Sequence, residues 1–171
     1  VAPGRFISFL ENDPAYTMLG YDIIRNAVRE AGRIREHLPE FRINVNITAM
    51  QLYAEDFISN VVRILDEEHF PSQHLILELT ERCKEMEFDY LRERVDDLKK
   101  TGILVALDDM GTGFSTLDLL LHLPVNEIKL DMTFTNELTA NENNEMFAKV
   151  LCRIAERNQM DACFEGIETE Q

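Results

Sequence analysis

Positive charge is scarce in this chain: 17 Lys+Arg stand against 32 Asp+Glu, leaving a formal charge of −15 over 171 residues. Gripping nucleic acid through a broad basic surface needs clustered Lys and Arg to displace counterions, so that class is excluded and no DNA partner is expected. Long apolar runs are also lacking, and no stretch suits a membrane-spanning helix. No signal-peptide pattern opens the chain, so a cytoplasmic setting is expected, with membrane tethering of a longer parent left open. The three cysteines, Cys83, Cys152 and Cys163, are odd in number and widely spaced. That fits neither a disulfide framework nor a zinc site, and idle thiols in a reducing compartment are expected. The four histidines, His37, His69, His74 and His122, form no HExxH pair. Any catalysis must rest on carboxylates.

What the chain has is enough for a core. Apolar residues make up 45% and charged residues 29%, with no Pro/Gly/Ser linker, so residues 1–171 read as one domain. Two periods alternate along it. Leu19, Ile23, Ala27, Ala31 and Ile34 fall at helical spacing, as do Phe57 to Leu65, Leu91 to Leu98, and Met146 to Ile154. Between them lie short β-type runs at 42–47, 75–79, 103–107, 128–130 and 162–164. Gly102 sits between a helix and a strand, where a C′ glycine belongs. Strands alternating with helices predict βα units and a parallel sheet.

Each run carries a polar or charged group at or near its C-terminal end: Asn46, Glu78, Asp108 with Asp109, Lys129, and Glu165, at steps of 21 to 36 residues. Both doubly wound sheets and TIM barrels place function at the C-terminal ends of strands. A dinucleotide-binding sheet calls for G-x-G-x-x-G after its first strand, which is missing. A TIM-barrel-like α/β fold fits better, with about five of its eight βα units present. Strand parity puts Ile76, Glu78 and Thr80 on one face, and Lys129 with Asp131 on one face. Lone inward charges are costly unless paired or bound to metal. Five converging on one mouth point to function.

Asp108-Asp109 opens the run Asp-Asp-Met-Gly-Thr-Gly-Phe-Ser. Adjacent strand residues point to opposite faces, but at a strand end the backbone can turn both carboxylates toward one site, where they could serve two cations. Gly111 and Gly113 permit a sharp bend there, and Ser115 with Asp118 can cap the next helix. The same run also suits an acidic turn ahead of a helix.

Taken together the motifs resemble those of the EAL domain, the cyclic-di-GMP phosphodiesterase family. The resemblance rests on Asn46-Ile47-Thr48-Ala49-Met50-Gln51-Leu52, Glu78-Leu79-Thr80-Glu81, Asp108 through Ser115, Leu123-Pro124 leading to Ile128-Lys129-Leu130-Asp131, and Glu165-Gly166-Ile167-Glu168-Thr169. Phe6-Ile7 with Glu11 is similar to the stretch between the family's first strand and first helix. The resemblance implies metal-dependent hydrolysis of cyclic-di-GMP to the linear dinucleotide, in bacterial second-messenger signalling. It implies that Asn46, Glu78 and Asp108 bind one Mg²⁺ or Mn²⁺, with Asp108 bridging to a second ion held also by Asp109. Lys129 would orient the attacking water and neutralise charge, and Glu165 would act on that water. Glu81 and Thr112 would hold the loop after Asp109, with Asp131 and Glu168 standing behind these groups or in the adjoining loop. An acidic chain and an anionic substrate are compatible, because carboxylates attract metal and metal attracts phosphate.

The chain departs from the family pattern in lacking the Glu-Ala-Leu tripeptide, which by spacing belongs about a dozen residues before Val1, and in stopping before the family's Gln-Gly motif. Residues 1–171 by themselves are therefore expected to be catalytically silent or nearly so. A non-hydrolytic cyclic-di-GMP receptor and a protein-interaction module are the alternative readings. The apolar helix with Leu117, Leu119, Leu120 and Leu121 suggests a homodimer through 111–121, with burial in the barrel wall as the other explanation. Flanking sensory or cyclase domains are compatible with all of this.

Overall fold

The computed structural model describes residues 15–79, 83, 86–110, 116–135, 138 and 141–167. Phe6, Ile7, Glu11, Thr80, Glu81, Gly111 to Ser115 and Glu168 lie outside the described residues. In chain order the elements are α1 (Ala15–Arg35), β1 (Ile43–Ile47), α2 (Ala49–Tyr53), α3 (Phe57–Glu67), a 3₁₀ turn (Ser72–His74), β2 (Leu75–Leu79) and α4 (Phe88–Lys100). They continue with β3 (Leu104–Met110), α5 (Thr116–His122), β4 (Glu127–Leu130), α6 (Met132–Thr135), α7 (Glu142–Asn158) and β5 (Asp161–Phe164). All five strands are parallel, in the order β1-β2-β3-β4-β5. Sequential parallel neighbours joined through helices make the arc of a βα barrel.

Side-chain alternation explains why the arc holds. One face carries Val45 and Ile47, Leu75, Leu77 and Leu79, Val105 and Leu107, and Ile128 and Leu130, all buried under the helices. The helices answer with Ile24, Val28 and Ala31 from α1, Phe57, Val61 and Ile64 from α3, Leu91, Val95 and Leu98 from α4, and Leu151 from α7. Each such side chain contributes roughly 1.5–3 kcal/mol on burial. The opposite face carries Asn44, Asn46, Glu78, Asp108, Glu127 and Lys129. Ile76 and Ala106, both apolar and buried, stand beside them on that face.

Helix ends are set locally. Glu87 caps α4 by accepting from the N–H groups of Asp89 and Tyr90. Gly102, at φ +84°, donates to the Lys99 carbonyl at 2.9 Å, a left-handed turn that a Cβ would strain. Asn141 caps α7, and Gln159 closes it at φ +58°.

Two helical stripes differ from the expectation. On α1 the buried line is Ile24, Val28 and Ala31, leaving Leu19, Ile23 and Ile34 exposed. Ile24, Val28 and Ala31 also fall at helical spacing and join the core against β1 and α3, while Arg25 and Arg29, on the flank, reach Glu67 and Glu68 at the end of α3, with Arg29 Nη2 at 2.7 Å from Glu68 Oε1. On α7, Ala148, Leu151 and Ala155 are buried while Met146 and Val150 face out. In α5, Leu119 and Leu120 pack into the wall and Leu121 is exposed. The cysteines are free, Cys83 buried against the Ile47 carbonyl and Cys152 on the surface. Among the described residues no helix is long and apolar enough to cross a membrane.

The α1–α3 clamp yields a test. Hydrogen bonds from Arg29 and then Arg25 hold the Glu68 carboxyl down at about 2, against an ordinary 4.5. A depressed acid contributes stability that is fully present above its unfolded value and is lost as pH falls through its folded one. Thermal melts should therefore lose stability between these two values. Glu68→Gln should flatten that part of the pH profile, and an unchanged slope would show that the clamp contributes nothing.

Candidate functional site

Every strand delivers its polar group to the same end of the sheet, and strand register explains how. Asn46 pairs with Glu78, and Glu78 with Ala106. Asp108 lies two residues further along β3, on the same face. Lys129 pairs with Cys163 on β5, and Glu165 follows two residues later. Neighbouring strands are about 4.8 Å apart, within side-chain reach.

Lys129 is the centre. Its Nζ lies 2.8 Å from Glu78 Oε1, 2.7 Å from Glu165 Oε1 and 3.4 Å from Asp108 Oδ1. The lysine side chain is 12% exposed and that of Glu78 is 6% exposed, so water screens these charges weakly. Burial works against the Lys129 ammonium, yet hydrogen bonds to Glu165 and Glu78 and the charge of Asp108 outweigh it, and its pKa is raised. It stays charged at any physiological pH. The Glu165 side chain, 35% exposed, faces the open mouth.

Asp108 and Asp109 reach their places through an irregularity. The β3–β4 register shifts between Leu107 and Met110, and Asp109 takes φ +52°. Asp tolerates the left-handed region better than most residues, and bulges re-aim side chains beside active sites. The Asp109 N–H donates to Asp108 Oδ1 at 3.0 Å. Strict alternation thus ends at this pair.

The strand carrying Asn46 is anchored just beyond it. Thr48 caps α2 through a reciprocal capping box with Gln51, both buried. Gly20 of α1 permits this, because a Cβ there would lie 2.2 Å from Gln51 Nε2. Asp131 starts α6, its carbonyl accepting from Thr135 N–H at 3.1 Å, which ties the segment after Lys129. Glu81, Thr112 and Glu168, also expected near the site, lie outside the described residues.

Two groups on this face were not expected from the sequence. Asn44 Nδ2 donates to Glu78 Oε1 at 2.7 Å. Glu127, paired in register with Ala106, is half-buried; burial and then the Glu78 charge raise its pKa, against the opposing pull of Lys129 and an Asn44 hydrogen bond. A signal for both was present: each stands two residues before an expected site residue and shares its face.

A parallel βα arc with its ionisable groups gathered at the C-terminal rim defines the class: a TIM-barrel-like α/β protein whose site is built from strand ends. The comparisons make this specific. A profile of the EAL domain matches residues 1–171, and the chain belongs to the EAL domain family. The cyclic di-GMP phosphodiesterase PdeR of Escherichia coli is 28% identical over 169 residues, 99% of this chain and 26% of that protein. Among solved structures, the PaMucR phosphodiesterase in complex with c-di-GMP superposes with TM-score 0.84 at 28% identity, over 99% of this chain and 69% of that one. The EAL domain of Mycobacterium smegmatis DcpA superposes with TM-score 0.81 at 31% identity, over 89% and 69%. The chain spans about a quarter of the length of curated relatives such as PdeR.

Removing the central cation has a defined cost. Lys129→Met leaves Glu78, Asp108 and Glu165 facing one another, and about 2 kcal/mol of stability should be lost near pH 7.5. That is less than the roughly 3–5 kcal/mol for breaking a fully buried pair, because solvent still reaches the cluster. Urea unfolding in EDTA measures it. An unchanged midpoint at neutral pH would count against the cluster.

Proposed function

We propose that the protein carrying this chain hydrolyses cyclic-di-GMP to the linear dinucleotide in bacterial second-messenger signalling. The observation that supports this best is the meeting of Glu78, Asp108 and Glu165 around one cationic centre at the rim of an EAL fold. Relatives that share the fold carry the phosphodiesterase name, and one of them is seen with c-di-GMP.

The donor chemistry fits a hard divalent cation. Among the described residues no three His, Cys, Asp or Glu side chains close around one metal-sized point, but three carboxylates share a single cation, Lys129, with Asn46 beside them in register. Carboxylate and amide oxygens are what Mg²⁺ and Mn²⁺ prefer. Asn46, Glu78, Asp108 and Asp109 would hold them. When bound, such ions supply positive charge to phosphate oxygens and make water more acidic. Lys129 adds a fixed positive charge against the phosphodiester. Glu165, beside Lys129 and open to the mouth, takes a proton from the attacking water. The water oxygen bonds to phosphorus, the ester P–O bond breaks, and the leaving oxygen takes a proton from solvent. Exposed Leu121 leaves a role for α5 in a homodimer.

In the complete protein, Asp108→Asn should abolish Mn²⁺-dependent turnover, and undiminished activity would sink the assignment. Glu165→Gln should lower kcat about 10²–10⁴-fold with little change in ligand affinity. A wild-type protein that binds cyclic-di-GMP without cleaving it would favour the receptor reading. Sedimentation showing a monomer at tens of micromolar would end the homodimer.

A further inference from the structure

Asn44 is a neutral residue placed among acids on the inner face. Its Nδ2 donates to Glu78 Oε1 at 2.7 Å, the oxygen that Lys129 Nζ also approaches, at 2.8 Å. Asn44 thus reaches Glu78 on β2 from a position two residues before Asn46 on β1. Asn44 and Lys129 meet on one and the same oxygen of Glu78, Oε1. A carboxylate with one oxygen pinned by an amide and an ammonium has lost its freedom to rotate, and such outer contacts set how well a ligating carboxylate holds its ion.

We infer that Asn44 is a positioning residue: by donating to Oε1 of Glu78, it fixes the Glu78 carboxylate in the orientation that receives a divalent cation. The inference rests on the hydrolytic, metal-dependent reading above and adds a residue to it. A leucine at this position keeps the volume and neutrality and removes the donor. In the complete protein, Asn44→Leu should weaken Mn²⁺ binding about 10–100-fold, measured by electron paramagnetic resonance of free Mn²⁺. Its kcat at limiting Mn²⁺ should fall, be largely restored at saturating Mn²⁺, and leave KM for cyclic-di-GMP near wild type. A residue with a merely structural role would not show that rescue by metal. If Asn44→Leu fails to fold, Asn44→Ser, which keeps a shorter donor, should show a smaller shift in the same direction. Unchanged Mn²⁺ affinity in a folded variant would overturn the inference. Because the resonance signal does not depend on turnover, a wild-type protein that binds Mn²⁺ but hydrolyses nothing would fail the hydrolytic reading alone.

Discussion

Three carboxylates from three strands meet one ammonium, and much of the rest follows from keeping them there. Without a cation, Glu78, Asp108 and Glu165 would repel one another in a partly dry cleft. With Lys129 among them, each lies 2.7–3.4 Å from a positive charge. The balance is local, because the chain as a whole is strongly acidic. It demands that β2, β3, β4 and β5 hold their relative heights to within a residue, since a slip by one turns a side chain to the other face.

The sheet meets that demand through its other face. Leu75, Leu77 and Leu79 on β2, Val105 and Leu107 on β3, and Ile128 and Leu130 on β4 are sealed under α3, α4 and the neighbouring helices. Misregister would expose that row and bury the polar one. The apolar face therefore enforces the geometry of the polar face. Among the described residues the alternation breaks between Leu107 and Met110, at Asp108-Asp109 in the site itself.

Membership of the EAL family fixes the scaffold, and the activity then depends on which groups stand on it. Here the described strand ends bring amide, carboxylate and ammonium groups together. Asn44 and Glu127 show that the cluster is deeper than its rim. Glu127, whose pKa is raised by burial and by the charge of Glu78, stands two residues before Lys129 on β4, and Asn44 donates to Glu78 from β1.

The alternation of helix and strand, the parallel sheet, and the groups Asn46, Glu78, Asp108, Lys129 and Glu165 were legible in the sequence, because period-2 and period-3.6 patterns are local and strand-end charges are conspicuous against apolar runs. The sequence alone did not determine the rotation of α1, where Leu19 with Ile23 and Ile24 with Val28 both fall at helical spacing and packing against β1 and α3 selected the second pair. Nor did it reveal how two adjacent aspartates escape strict alternation, which takes a left-handed residue at a register shift. Asn44 and Glu127 looked like ordinary strand polars, since what makes them part of the site is a hydrogen bond and a repulsion across strands more than thirty residues apart in sequence. Periodicity carries which face a residue occupies; which partner it meets there depends on register and packing between elements, and only the tertiary structure decides that.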